Sequence, residues 1–219
     1  MFNAIRTYPA PASLAYRRSY SGEDVYAELK KIFFDKCYLC ESADPQDVNI
    51  EHFEAHEGDE DKKYDWDNLY FCCSRCNNLK GTAFNEIVDC CDLAHDVFRA
   101  IKLVPPLTPR GKEVLITALD SHPSSEKTVE LLDRIFNSDN TVNKKMTSEY
   151  LRKKVFVQYS KLLDQMIKYF DEVSTDAEKE DALTRMKMLI RKSMPYSAFI
   201  RWCVLDDDEL GPILQEFMD

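Results

Sequence analysis

Four cysteines stand in two pairs, Cys37-x-x-Cys40 and Cys73-x-x-Cys76, inside one short segment of a 219-residue chain. Four thiolates satisfy the tetrahedral preference of Zn²⁺, and paired spacing of this kind reads as a metal site. The 32 residues between the pairs exceed the roughly 15–20 of an ordinary zinc ribbon, so something is inserted between the knuckles. The insert carries Glu51, His52 and Asn68. Arg75 lies within the second knuckle, and Asn77, Lys80 and Gly81 follow its last ligand. A zinc ribbon without chemistry needs the cysteines but none of these.

Each of these residue types has a physical role. Glu51 is a hard oxygen donor suited to Mg²⁺ or another divalent ion. A neutral His52 can take a proton from water near physiological pH. Neighbours on a regular strand face opposite ways, so a bend is expected at this pair. Asn77 can add an uncharged oxygen to the same metal. Lys80 and Gly81 are expected to open a helix whose amides, with the lysine, meet a phosphate, and Arg75 is a second phosphate-binding candidate. Asn68 is expected to tie the hairpin loop to the catalytic strand through its amide. Together these groups are expected to suit phosphodiester hydrolysis, with His52 activating water and the metal stabilising the leaving oxygen. His56 is read as a phosphate contact or a solvated loop residue, and His95 and His122 as structural.

Two other classes use some of the same residues. A zinc deaminase would use His52-Phe53-Glu54 with Cys73 and Cys76. However, Cys72 stands where its signature has proline, and Cys37, Cys40 and Asn77 would be idle. A non-catalytic adaptor would need only the zinc knuckles and a helical tail.

Composition bounds the setting. Hydrophobic residues make up 44% and charged residues 31%, as in a soluble globular protein. No apolar run approaches the ~20 residues of a membrane span, and 1–20 lacks the apolar centre of a signal peptide. Eight cysteines, half in knuckle spacing, predict a reducing compartment, the cytoplasm. The net charge of −10 opposes approach to a phosphate backbone. Either positive charge is gathered locally or a partner supplies it. Local candidates are Arg6, Arg17, Arg18, Lys30, Lys31 and Lys36 before the first knuckle, Arg75 and Lys80 at the second, and Lys144, Lys145, Arg152, Lys153 and Lys154 later. The loop 54–67 is acidic, with only Lys62 and Lys63 in opposition.

The elements that must position the site follow from periodicity. Residues 1–22 form an arm, and Ser21 caps a helix over 23–34. Val48, Ile50 and Phe53 suggest a first strand, 69–73 a second, and 84–101 a helix. Domains are expected at 23–104 and 105–219, with a Pro-rich linker from 105 to 111. Beyond it the pattern predicts helices at 112–120, 125–136, 147–171, 175–191, 195–205 and 211–217, with Thr175 and Glu178 forming a capping box. The fold class is mainly α, with a small strand–strand–helix core around a four-cysteine zinc site.

The run EHF at 51–53, Asn68, and CSRCNNLKG at 73–81 resembles the HNH endonuclease motif with its zinc knuckles. The resemblance is specific over 36–81. It implies a ββα-metal core with Glu51 and His52 on the first strand, Asn68 in the middle and Asn77 on the helix. Over a longer stretch, the arm, Trp66–Leu69 and PYSAFIRW at 195–202 resemble the HNH component of Septu-type and retron-associated anti-phage systems. That implies work beside an ABC-type ATPase on nucleic acid, either DNA or RNA such as tRNA. The family often has Pro then Lys where this chain has Ala55 and His56.

Overall fold

The computed structural model describes residues 1–138 and 146–218; Lys144 and Lys145, counted among the basic candidates, lie outside them. The helices are α1 (Glu23–Ile32), α2 (Glu60–Tyr64), α3 (Ser74–Lys80), α4 (Val97–Ala100), α5 (Pro123–Asn137), α6 (Ser148–Phe170), α7 (Asp176–Leu189), α8 (Ser197–Leu205) and α9 (Leu210–Leu214). The strands form two antiparallel hairpins: β1 (Val48–His52) with β2 (Leu69–Cys73), and β3 (Ile101–Val104) with β4 (Leu115–Ala118). Helix predominates, as the sequence pattern requires.

α1 buries Val25, Leu29 and Ile32 on one face, with acids in its first turn and lysines in its last, the order the helix dipole favours. Its N-cap is Gly22 rather than Ser21, whose amide is taken by Ser19 Oγ. The helical half has two cores. Leu131, Leu132, Ile135 and Phe136 of α5, with Leu151 and Val155 of α6, join the main core. Leu162 of α6 packs instead with Met186, Ile190, Val204, Leu210 and Leu214. α6 thus serves both, with Tyr159, Met166 and Tyr169 packed against the second core. The Thr175–Glu178 capping box is present at the start of α7. Replacing Thr175 by alanine is expected to cost about 1 kcal/mol, visible as a lowered denaturant midpoint with an unchanged slope.

Two expected helices are absent. Over 84–101, Phe84, Ile87, Val88, Val97 and Phe98 of the expected apolar side are buried, but Cys91 is half-buried and Ala94 exposed; the backbone turns repeatedly and only α4 is helical. Asp89, Asp92 and Asp96 accept from the amides of Cys91, Ala94 and Phe98, and Thr128 Oγ1 takes the amide of Val88. These side-chain bonds consume the donors a helix would use. The expected helix at 112–120 is strand β4, where Leu115-Ile116-Thr117 pairs with β3. Branched residues suit that pleated edge better than a helix. The stretch read as a linker is therefore the hairpin connection. The boundary expected at 104/105 falls within this hairpin, and Trp202 of α8 donates to the carbonyl of Ile101.

Candidate functional site

β1 and β2 pair in register Val48↔Cys73 through His52↔Leu69, and α3 follows β2 without a loop. Cys73 performs two tasks, ending the strand and capping α3 through Sγ, which accepts from the amide of Cys76 at 3.4 Å. α3 ends at Gly81, whose φ of +49° is the left-handed region that glycine enters without strain. The helix of the site is therefore 74–80 rather than 84–101, and Lys80 and Gly81 close it instead of opening it.

The first knuckle is a tight turn joined to this unit. The amide of Cys37 donates to Ser42 O, and that of Tyr38 to Phe71 O of β2. The Sγ atoms of Cys37, Cys40, Cys73 and Cys76 all lie within 4.8 Å of one another, fully enclosed. Four sulfurs around Zn²⁺ at ~2.3 Å stand about 3.8 Å apart, and Cys40 and Cys73 are 3.9 Å apart. The donor set fits a closed tetrahedral ion. Cys72, the alternative to Cys73, points to the neighbouring face but still approaches Cys37 at 3.8 Å.

The helical half braces the knuckle, through residues the sequence did not signal. Glu41 is buried, paired with Lys36 at 3.3 Å and bonded by Ser197 Oγ at 2.9 Å. Burial pushes its carboxyl up, but Lys36 foremost reverses this and holds it at about 2. Tyr196 meets Ser42 through its hydroxyl at 3.0 Å. The only clue was that Tyr196 and Ser197 lie in a motif shared with the resembled family.

Glu51 and His52 face opposite ways, as neighbours on a regular strand must; no bend brings them together. Glu51 turns inward, where it accepts from Tyr38 Oη and pairs with Lys80 Nζ at 3.5 Å, leaving Oε2 without a partner. Burial raises its pKa against the opposing pull of Lys80 and Tyr38. His52 turns outward and is partly buried. Tyr20 of the arm and His56 pack edge-on against its ring, each with centroids 4.6 Å away. Nε2 lies 3.0 Å from the carbonyl of Lys63. An acceptor there fixes the neutral tautomer with its proton on Nε2, leaving Nδ1 as the basic nitrogen. Desolvation lowers the His52 pKa and favours that neutral form.

Asn68 links strand and loop. Its Oδ1 accepts from the amide of Glu54, and Nδ2 donates to the carbonyls of Glu54 and Lys62. Asn77 is half-buried one turn before the end of α3. Lys80 is buried and spends its ammonium on the carbonyls of His52 and Phe53 as well as on Glu51. Arg75 is buried too and donates to Ser148 Oγ at the start of α6 at 2.8 Å, while Nε and Nη1 have no partner. Neither cation is on the surface, so neither meets a phosphate in this conformation. Over the acidic loop, Arg17 of the arm pairs with Asp61, Lys62 with Glu54 and Lys63 with Glu60.

Among the described residues, a second group of metal-type ligands is Asp89, Cys90 and Cys91; neither group includes His52. Four cysteines close the metal site without His52, and a closed set leaves no open position for catalytic water. This geometry disfavours a deaminase. No helix among the described residues is long and apolar enough to cross a membrane. Compared with known protein families and with curated proteins, the sequence matches none. Fold and site together define a mainly helical protein with two small hairpins, one of which runs into a short helix beside a four-cysteine cluster compatible with zinc.

Proposed function

We propose that this chain is an HNH-type endonuclease: a phosphodiester hydrolase for nucleic acid, stabilised by structural Zn²⁺ on Cys37, Cys40, Cys73 and Cys76. The observation that carries the reading is His52. It stands at the outer end of β1, held by the Lys63 carbonyl so that Nδ1 is left as a base, in a strand–strand–helix unit closed by the cysteines. Its role is to take a proton from the attacking water. Asn68 keeps the loop that supplies the Lys63 carbonyl against the end of β1, and so keeps the imidazole oriented.

A hard divalent ion, Mg²⁺ by preference, belongs to this reading; when bound it would neutralise charge on the scissile phosphate. Glu51 and Asn77 are its candidate donors. As folded, they do not fit a hydrated Mg²⁺, because the Glu51 carboxylate is enclosed and already paired with Lys80.

The acidity of the chain and the arm and loop ion pairs around His52 support a partner that lends positive charge, since phosphate contacts dominate affinity for nucleic acid. An ABC-type ATPase in a cytoplasmic anti-phage system is the partner proposed from the resemblance. The alternative, a non-catalytic zinc-stabilised adaptor, is favoured by one observation, the closure of Glu51 by Lys80. Incubating the full chain with Mg²⁺ on duplex DNA, single-stranded DNA and tRNA, with and without an ABC-type ATPase of the proposed kind, separates the two. Cleavage of any polymer is expected; one bound zinc with no cleavage under any condition would establish the adaptor.

A further inference from the structure

Cys90 and Cys91 occupy the two central positions of a tight turn, which the amide of Asp92 closes on the carbonyl of Asp89 at 3.2 Å. Their Sγ atoms and the Asp89 carboxylate lie within 4.8 Å of one another, with Cys90 buried and Cys91 half-buried. Asp89 is held by Tyr70 Oη and by the amide of Cys91, both of which donate to its Oδ1. Arg6 of the arm stacks on the same Tyr70, its guanidinium carbon 4.6 Å from the ring centroid. The Arg6 side chain is only 6% exposed. Nη2 is spent on the carbonyls of Asp67 and Leu69, whereas Nη1 is buried with no partner. A fixed cation with an unused donor thus acts on two adjacent thiols outside the four-cysteine cluster. We infer that Cys90 and Cys91 are a peroxide-reactive pair, in which Cys91 attacks a hydroperoxide, Cys90 resolves the product and Arg6 steadies the departing charge.

The thiolate is the nucleophile, and a cation beside a partly exposed cysteine favours it. Hydrogen bonding from Cys90 foremost lowers the Cys91 thiol; Arg6 adds to this, while desolvation and the Asp89 carboxylate oppose it. Burial foremost pushes the Cys90 thiol up, so it keeps its proton and remains a donor. Cys91 Sγ takes one oxygen as the O–O bond breaks, giving a sulfenic acid and a hydroxide or alkoxide that Arg6 Nη1 can meet. That anion recovers the proton Cys91 had released. Cys90 Sγ then displaces the sulfenic hydroxyl, which leaves as water with the Cys90 proton. Two thiols and one hydroperoxide thus yield one disulfide, one water, and a second water or an alcohol. Neighbouring Cα atoms are ~3.8 Å apart, closer than the ~4.4–6.8 Å of ordinary disulfides, so the bond is readily reduced and the change reversible. The turn lies outside every helix and strand, where no ladder resists its adjustment. The same guanidinium repels a metal cation at this cluster. None of this depends on the nuclease reading.

Hydrogen peroxide is the probe, added in limiting amount to the zinc-loaded full chain before alkylation and tryptic digestion. Cys90 and Cys91 fall together in the peptide 81–99, apart from every other cysteine. That peptide is expected to lose two hydrogens while zinc stays bound, and to regain them with a mild dithiol reductant. Cys203 is the reference thiol, also half-buried but pushed up to about 12, chiefly by burial. Cys91 is expected to react roughly tenfold faster than Cys203 or more. An equal rate would overturn the inference, as would zinc release before the peptide is oxidised. Cys90→Ser is expected to stop at a sulfenic acid on Cys91, trapped by dimedone; the absence of an adduct rejects Cys91 as the attacking thiol. Arg6→Met is expected to slow the reaction about tenfold and Arg6→Lys to preserve most of it; a native rate in Arg6→Met rejects the role of the cation. Should Arg6→Met fail to fold, which zinc content and melting report, the comparison with Cys203 in the native chain still decides. A second bound zinc, lost from Cys91→Ser, would make the cluster a metal site and refute the thiol chemistry.

Discussion

Cys73→Ser is expected to release the metal and leave a chain without a cooperative melting transition. Structural zinc contributes about 10–16 kcal/mol of apparent binding energy in small metal-dependent folds, comparable with or above the ~5–15 kcal/mol total stability of a domain. Cys73 also ends β2 and caps α3, so its loss touches strand, helix and metal together. Cys37, Cys40 and Cys76 should behave alike, because their four sulfurs form one cluster. Cys72→Ser is the internal control. Its side chain is buried beside Cys37 but outside the cluster, so a buried hydroxyl should cost only about 1–3 kcal/mol. Metal content by elemental analysis and thermal melting by circular dichroism read both effects. Zinc lost from Cys72→Ser and kept by Cys73→Ser would place the ligand one residue earlier.

His52→Ala carries the second large effect, this time on activity. Loss of a general base lowers turnover by about 10²–10⁴-fold, so cleavage should fall below detection in an ordinary nicking assay. Stability should change little. The imidazole is only partly buried, and its edge contacts with Tyr20 and His56 contribute about 0.5–1.5 kcal/mol each beyond burial. Melting within a few degrees of the native chain and unchanged zinc content are the controls. Cleavage retained in the folded variant would remove His52 from the reaction.

How far the sequence reaches differs from place to place. The paired cysteines were legible because metal ligands are few in kind and fixed in spacing, and a tetrahedron tolerates little else. Strands 48–52 and 69–73 and the long amphipathic helices were legible because their periodicity records which face is buried. The capping box at Thr175 was legible because it is wholly local. Asn68 was legible in part, since an amide between a strand and an acidic loop has few other uses.

The helix at 84–101 was misread because its apolar residues do have helical spacing. The competing bonds from Asp89, Asp92, Asp96 and Thr128 depend on how the chain turns. The strand at 115–118 needed a partner from outside its own segment, and the partner is β3, paired from Val104↔Leu115 to Ile101↔Ala118. Lys80 and Arg75 looked like phosphate ligands because charge is visible in a sequence and burial is not.

The sequence by itself determined the four-cysteine cluster and the helical character of the chain, because each is encoded in residue type and local spacing. Tertiary structure decided what the acid and the cations do. The pleat of β1 sends Glu51 inward and His52 outward, and the closing turn of α3 brings Lys80 onto the inward side. Packing of α6 against the knuckle then removes Arg75 from solvent. Those are consequences of which faces meet, and a linear chain does not specify its own contacts until it is folded.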